Sequence, residues 1–128
     1  NLIGNMVLYN KDQRTLRPSG GKNYVDTAIK YIENNYFKKI TISEICSAIC
    51  IERSYLCRLF KKYTGLSPQQ YMIDYRMNLA KELLSSQRYS VSQVAVMVGY
   101  EDRIAFSKLF RKHFAVSPKN YCTKLNEE

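Results

Sequence analysis

Two short stretches of this sequence gather cations on what helical spacing would make a single face. Residues 53–62 hold four positive charges, at 53, 58, 61 and 62, and no acid. In a helix there, Tyr55, Leu56, Leu59 and Phe60 can turn inward, which leaves Arg53, Ser54, Cys57, Arg58 and Lys61 for the outer face. The arrangement returns downstream: Phe106, Leu109 and Phe110 anchor, while Arg103, Ile104, Ser107, Lys108 and Arg111 face out. Such faces offer charge-assisted hydrogen bonds to anionic oxygens, with arginine presenting a planar fork of donors. Other chemistry is thinly supplied. There is one histidine and no tryptophan, and no phosphate loop, paired carboxylates with a base, or nucleophile–histidine arrangement. The residues argue against an enzyme and imply no cofactor. Cysteines 46, 50, 57 and 122 show neither a CxxC nor a zinc spacing. Cys46 and Cys50 would share a helical face, with His113 the single histidine available as a partner. We read them as reduced thiols of a cytosolic protein, not as disulfides or a metal site, with Cys46 a small buried hydrophobe.

The elements that must position these faces are helical. A chain of 128 residues is one domain's worth of protein, and 45% hydrophobic content suffices for a core. Five glycines and three prolines are too few for the turns of a sandwich or barrel. Twenty Lys+Arg against 11 Asp+Glu give +9, a balance suited to nucleic acid or an anionic membrane surface. No apolar run is long enough for a membrane span and no signal peptide is visible. Residues 1–22, with Gly4 and Pro18-Ser19-Gly20-Gly21, read as a linker or the remnant of an N-terminal domain, and the initial Asn suggests a fragment or processed chain.

From there the helical period predicts helices over about 24–37, 43–50, 53–64 and 68–86. The first carries Val25, Ala28, Ile29 and Ile32, and the second a stripe of Ile45, Ala48 and Ile49. Gly65 ends the third and Ser67-Pro68 opens the fourth. The pattern then repeats. Ile42-Ser43-Glu44-Ile45 is matched by Val91-Ser92-Gln93-Val94 at an offset of 49. Leu59-Phe60-Lys61-Lys62 is matched by Leu109-Phe110-Arg111-Lys112, and Ser67-Pro68 with Tyr71 by Ser117-Pro118 with Tyr121, both at 50. One extra residue therefore lies in the second turn. Two copies of short helix, turn and longer helix, joined by one long helix, have the form of paired helix-turn-helix lobes.

Residues 41–121 resemble the C-terminal DNA-binding domain of AraC/XylS family transcription regulators. The resemblance rests on Val94-Ala95-x-x-Val98-Gly99-Tyr100-x-Asp102-x-x-x-Phe106-Ser107-x-x-Phe110-Arg111-Lys112 and Val116-Ser117-Pro118-x-x-Tyr121. Tyr55-Leu56-x-Arg58-x-Phe60-Lys61-Lys62, Gly65-x-Ser67-Pro68 and Arg76-x-x-x-Ala80-Lys81-x-Leu83-Leu84 agree with it, as does Tyr31-Ile32-Glu33-Asn34-Asn35-Tyr36 before them. It implies an all-α fold of about seven helices: two homeodomain-like helix-turn-helix lobes (about 24–67 and 90–126) joined by a linker helix (about 68–86), in a domain spanning 23–128. It further implies sequence-specific binding of double-stranded DNA by two recognition helices in successive major grooves. The implied setting is the cytoplasm of a bacterium, on the nucleoid when bound. The chain would be part of a longer regulator, most simply an activator touching RNA polymerase, whose N-terminal effector or dimerisation domain is absent here.

By position in the motif, Arg53, Ser54, Cys57 and Arg58 are the base-facing candidates of the first lobe, and Arg103, Ile104, Ser107 and Lys108 those of the second. Arg58 leads, because its fork suits guanine O6 and N7. Ile104 cannot donate a hydrogen bond, so a thymine methyl is the most it offers. Thr41, Ser43, Ser90 and Ser92, at the first helix of each lobe, could meet phosphate or simply cap. Lys61, Lys62, Arg111 and Lys112 are stronger phosphate candidates, since nothing structural demands a charge there.

The chain departs from the family's pattern at Cys50 and Ala115, where glycine is usual, and in Arg103-Ile104-Ala105. A non-glycine residue at either turn is strained if φ is positive there. Tyr31, Tyr55, Tyr71, Tyr75 and Tyr121 fall at core spacing, leaving Tyr9, Tyr89 and Tyr100 free to be exposed. Arg76 lies among apolar neighbours and is expected to pair with an acid such as Asp74 or Glu44. The competing reading is a partner-binding or sensor module, with residues 1–22 as its assembly edge.

Overall fold

The computed structural model describes residues 21–127; Tyr9 and most of the predicted linker lie outside them. Seven helices and no strands occur among the described residues: α1 Lys22–Asn35, α2 Ile42–Ile49, α3 Arg53–Thr64, α4 Pro68–Ser85, α5 Val91–Met97, α6 Arg103–Phe114 and α7 Pro118–Glu127. The chain divides into two compact units. Among the described residues, unit one takes 21–31 and 42–67, and unit two takes 32–41 and everything from Pro68 on.

Unit one holds the apolar stripe of α1, where Val25 and Ala28 are buried, and α2 packed on α3. Helix α1 starts two residues earlier than its period predicts, because the Gly21 carbonyl accepts from the Tyr24 and Val25 N–H groups. In α2 the buried residues are Ile42, Ile45 and Cys46, whereas Ala48 is exposed and Ile49 half-buried. The i, i+3, i+4 stripe thus begins one turn before the expected one, and Cys46 fills the place assigned to Ile49. Helix α3 buries Leu56, Leu59 and Phe60. Tyr55, expected inside, is 37% exposed: it precedes this stripe and leans its ring edge-on to Tyr24, with centroids 6.3 Å apart.

Unit two has one core, formed by Met77, Ala80 and Leu84 of α4, Val94 and Ala95 of α5, Val98, and Phe106 and Phe110 of α6. Phe110 is the hub of its rings, at 5.9 Å from Phe106, 4.8 Å from Phe114 and 5.9 Å from Tyr121. Helix α7 is tied to the end of α4 where the Ser85 and Tyr121 hydroxyls meet at 2.6 Å. The repeated Ser-Pro start is visible in α7, where Ser117 Oγ accepts from the Asn120 N–H at 3.1 Å.

Arg76 is the buried charge of unit two, and its partner is not a carboxylate. Its Nε donates to the Tyr36 carbonyl (3.0 Å) and its Nη2 to the Lys38 carbonyl (2.9 Å). Its guanidinium lies 5.0 Å from the centre of the Tyr100 ring. The turn after α1 exposes carbonyls that have no helical donor, and a buried cation with several donors satisfies them without a second charge. Asp74, proposed as the partner, meets His113 Nε2 at 3.0 Å instead. Tyr100, expected to be free, is half-buried as a consequence, between Arg76 and Phe106.

Candidate nucleic-acid interface

Each unit holds a helix-turn-helix, and the two turns are built alike. In unit one the Ile51 N–H reaches back to the Cys46 carbonyl (3.0 Å); in unit two Tyr100 N–H reaches Ala95 (2.8 Å). This six-residue closure needs one left-handed residue, which is Cys50 at φ 57° and Gly99 at φ 100°. Helices α3 and α6 end in a second left-handed residue, Gly65 at φ 80° and Ala115 at φ 64°. The strain expected at Cys50 and Ala115 is therefore present: both are non-glycine residues at positive φ.

These turns set the outer faces of α3 and α6 in matching patterns. Arg53, Ser54, Arg58 and Lys61 are exposed and Cys57 is half-buried; Arg103, Ile104, Lys108 and Arg111 are exposed and Ser107 is half-buried. Arg58 is splinted, its guanidinium carbon 5.3 Å from the centre of the Tyr55 ring. In unit two, Arg103, Ile104, Ser107, Lys108 and Arg111 line one shallow open groove of about 340 Å³, together with Ser117. Ser117 was not among the residues expected here. Its Ser-Pro signature was legible only as a helix start, since the groove exists only once α7 is folded back on α6.

The helix starts differ. Asp102 caps α6, its carboxylate accepting from the Ile104 N–H at 2.9 Å. Glu52 makes no side-chain cap on α3. Ser90 forms a full capping box with Gln93 on α5, its Oγ accepting at 3.1 Å while Gln93 Oε1 accepts from Ser90 N–H at 2.8 Å. Thr41, Ser43, Ser90 and Ser92 are all exposed. Lys61 and Lys62 lie in the last turn of α3, and Arg111 and Lys112 in the last turn of α6. Cations there complement the helix dipole, so these positions do have a structural use, contrary to the sequence reading. Lys62 also lies 5.2 Å over the Tyr63 ring.

Burial pushes the Cys46 thiol up from its ordinary range, aided by Cys57 and opposed by Arg53. Cys122 is raised by burial alone. Tyr71 and Tyr75 are raised first by burial and then by the Glu33 carboxylate. Among the described residues, no group of three or more His, Cys, Asp or Glu is placed to hold a metal ion, and no helix is long and apolar enough to cross a membrane.

Residues 45–124 match the model of a family described as a helix-turn-helix domain. The lactose operon transcription activator of Staphylococcus xylosus is 39% identical over 97 residues, which are 76% of this chain and 35% of that protein's length. The chain thus spans little more than a third of this curated relative. The C-terminal domain of AraT, a response regulator from Geobacillus stearothermophilus, superposes with a TM-score of 0.75 at 29% identity, over 79% of this chain and 84% of that one. The DNA-binding domain of AdpA, a global transcriptional factor solved with a target DNA, superposes at 0.72 with 25% identity, over 79% and 90%. The duplicated turn, the matched basic helices and these likenesses together make the chain a member of the AraC-type helix-turn-helix family of DNA-binding transcription regulators.

Proposed function

We propose that this chain binds double-stranded DNA sequence-specifically, with α3 and α6 as recognition helices in successive major grooves. One observation carries the reading: both helices follow the same turn and present the same exposed, cation-bearing pattern with no acid on it. Arg53, Ser54, Cys57 and Arg58 would face bases in one half-site, and Arg103, Ile104, Ser107 and Lys108 in the other. Lys61, Lys62, Arg111 and Lys112, with Thr41, Ser43, Ser90 and Ser92, would hold phosphates, which fix position without reading sequence. A phosphate role for the last-turn cations is compatible with their use at the helix dipole.

The relative named as a lactose operon activator supports activation as the output; the protein partner would then be RNA polymerase, and the place of action the bacterial nucleoid. A longer regulator with an N-terminal effector or dimerisation domain accords with the third of that relative's length spanned here. Binding selection from random duplex DNA at physiological salt tests the core of the proposal. The expected result is an asymmetric motif in two blocks, centred about one helical turn, roughly 34 Å, apart. One short block would remove α6 from base reading, and no enrichment would remove sequence-specific DNA binding by this chain.

A further inference from the structure

Ile104 is 66% exposed, a large aliphatic side chain held in water in the first turn of a helix whose neighbours are cationic. Its backbone is fixed, because its N–H is bound by the Asp102 carboxylate at 2.9 Å. Its β-branched side chain has little rotamer freedom in a helix. It lines the groove with Arg103, Lys108 and Arg111, a setting that suits a polyanion and not the apolar centre of a protein partner. Against a polyanionic duplex, what an aliphatic group can contact favourably is the methyl on C5 of a pyrimidine. The first turn of a recognition helix is where side chains reach base edges.

We propose that unit two reads a pyrimidine 5-methyl group through Ile104, supplied by thymine or by 5-methylcytosine. This rests on α6 facing bases, as argued above. The Asp102 carboxylate is engaged in the cap, so Ile104 discriminates by shape and hydration. It is blind to the exchange of the thymine O4 acceptor for the cytosine N4 donor. The matching position in unit one is Ser54, at an offset of 50, so the aliphatic contact belongs to one half-site.

The test uses the duplex recovered from the binding selection and competition anisotropy with the whole chain. Each thymine of the unit-two block is replaced in turn by deoxyuridine, which removes the methyl alone. At the position read by Ile104, cytosine and 5-methylcytosine are then compared. Loss of one buried methyl predicts about fourfold weaker binding for deoxyuridine than thymine, and a similar advantage of 5-methylcytosine over cytosine. Both ratios should fall to about one in Ile104→Ser and Ile104→Ala, which touch an exposed side chain and leave the fold intact. Equal affinity for thymine and deoxyuridine at every position of a block that still binds specifically would overturn the inference and leave the DNA-binding proposal standing. If no duplex is selected at all, the DNA-binding reading itself fails, and this inference with it.

Discussion

Gly65 and Gly99 both sit at positive φ, yet alanine should be tolerated at one and not at the other. At Gly65 an added Cβ would meet nothing within 4 Å. The penalty is then the left-handed strain of an L-residue, about 1–2 kcal/mol, less the unfolded-state entropy that alanine removes, about 0.4–1 kcal/mol. A net loss of about 0.5–1 kcal/mol follows for Gly65→Ala. At Gly99 the same strain applies, but the Cβ would also run into the Tyr36 carbonyl oxygen and lie 3.2 Å from Arg76 Nη2. That oxygen accepts from Arg76 Nε at 3.0 Å. Relief requires moving one partner of a buried, charge-assisted bond, about 1.5–3 kcal/mol more. Gly99→Ala should therefore lose about 2–4 kcal/mol in total. The converse, Ala115→Gly at φ 64°, should gain about 0.5–1 kcal/mol. Urea denaturation followed by circular dichroism measures all three, with m-values compared to confirm a common unfolded state. Equal losses at Gly65 and Gly99 would refute the close approach of Gly99 to the turn after α1, and a destabilised Ala115→Gly would refute the strain argument itself.

Arg58→Ala should relax specificity in the unit-one block and weaken the best sequence by about 1–3 kcal/mol, whereas Lys62→Ala should weaken specific and random duplexes alike. Titration of both variants against selected and scrambled DNA separates these roles; a Lys62 effect confined to one sequence would contradict its phosphate assignment. With about eight phosphates engaged, log K against log salt should slope near −7, and a flat response would mean the +9 charge is not used on DNA. Alkylation by iodoacetamide should label exposed Cys50 first and buried Cys46 last, because burial holds the Cys46 thiol protonated. The raised groups Cys46, Cys122, Tyr71 and Tyr75 bind their protons more tightly folded than unfolded. Their contribution is complete below the ordinary thiol and phenol range, and stability should fall as pH rises above about 9. Labelling of Cys46 as fast as Cys50, or a midpoint that is flat from pH 8 to 11, would contradict this.

The helices were legible because their apolar residues recur at helical spacing and their ends carry Gly65, Pro68 and Pro118 in positions only an end accepts. What spacing cannot supply is the partner of a side chain. Arg76 looked as though it needed a carboxylate because charge is the obvious match for charge. The turn after α1 offered two carbonyls instead, and such an offer depends on the path of a loop. Tyr55 failed for a related reason. It stands next to the buried stripe Leu56, Leu59 and Phe60, and Tyr24 and Arg58 give its ring a place on the surface. The left-handed turns were legible only as a condition on Cys50 and Ala115, because the residues themselves disguise a requirement that glycine would have announced.

The extra residue of the second turn was visible as a change of offset from 49 to 50, and its consequence is structural. The turn closures match at an offset of 49, Ile51 to Cys46 and Tyr100 to Ala95, so the insertion follows them and is Glu101. That residue is exposed and paired with Lys39. After it, Asp102 stands at the start of α6 where Glu52 stands at the start of α3. Aspartate is short enough to bend back to the Ile104 N–H. Glutamate is one methylene longer, and its Oε1 lies 3.5 Å from Ser54 Oγ without capping the backbone. The two units thus hold different parts of these helices in advance: α6 its first turn, with Arg103 and Ile104, and α3 its middle, where Tyr55 supports Arg58. Groups already ordered lose less entropy on binding. If both helices read bases, discrimination should therefore concentrate at Arg58 in one block and at Arg103 and Ile104 in the other, with Arg53 and Ser54 contributing least.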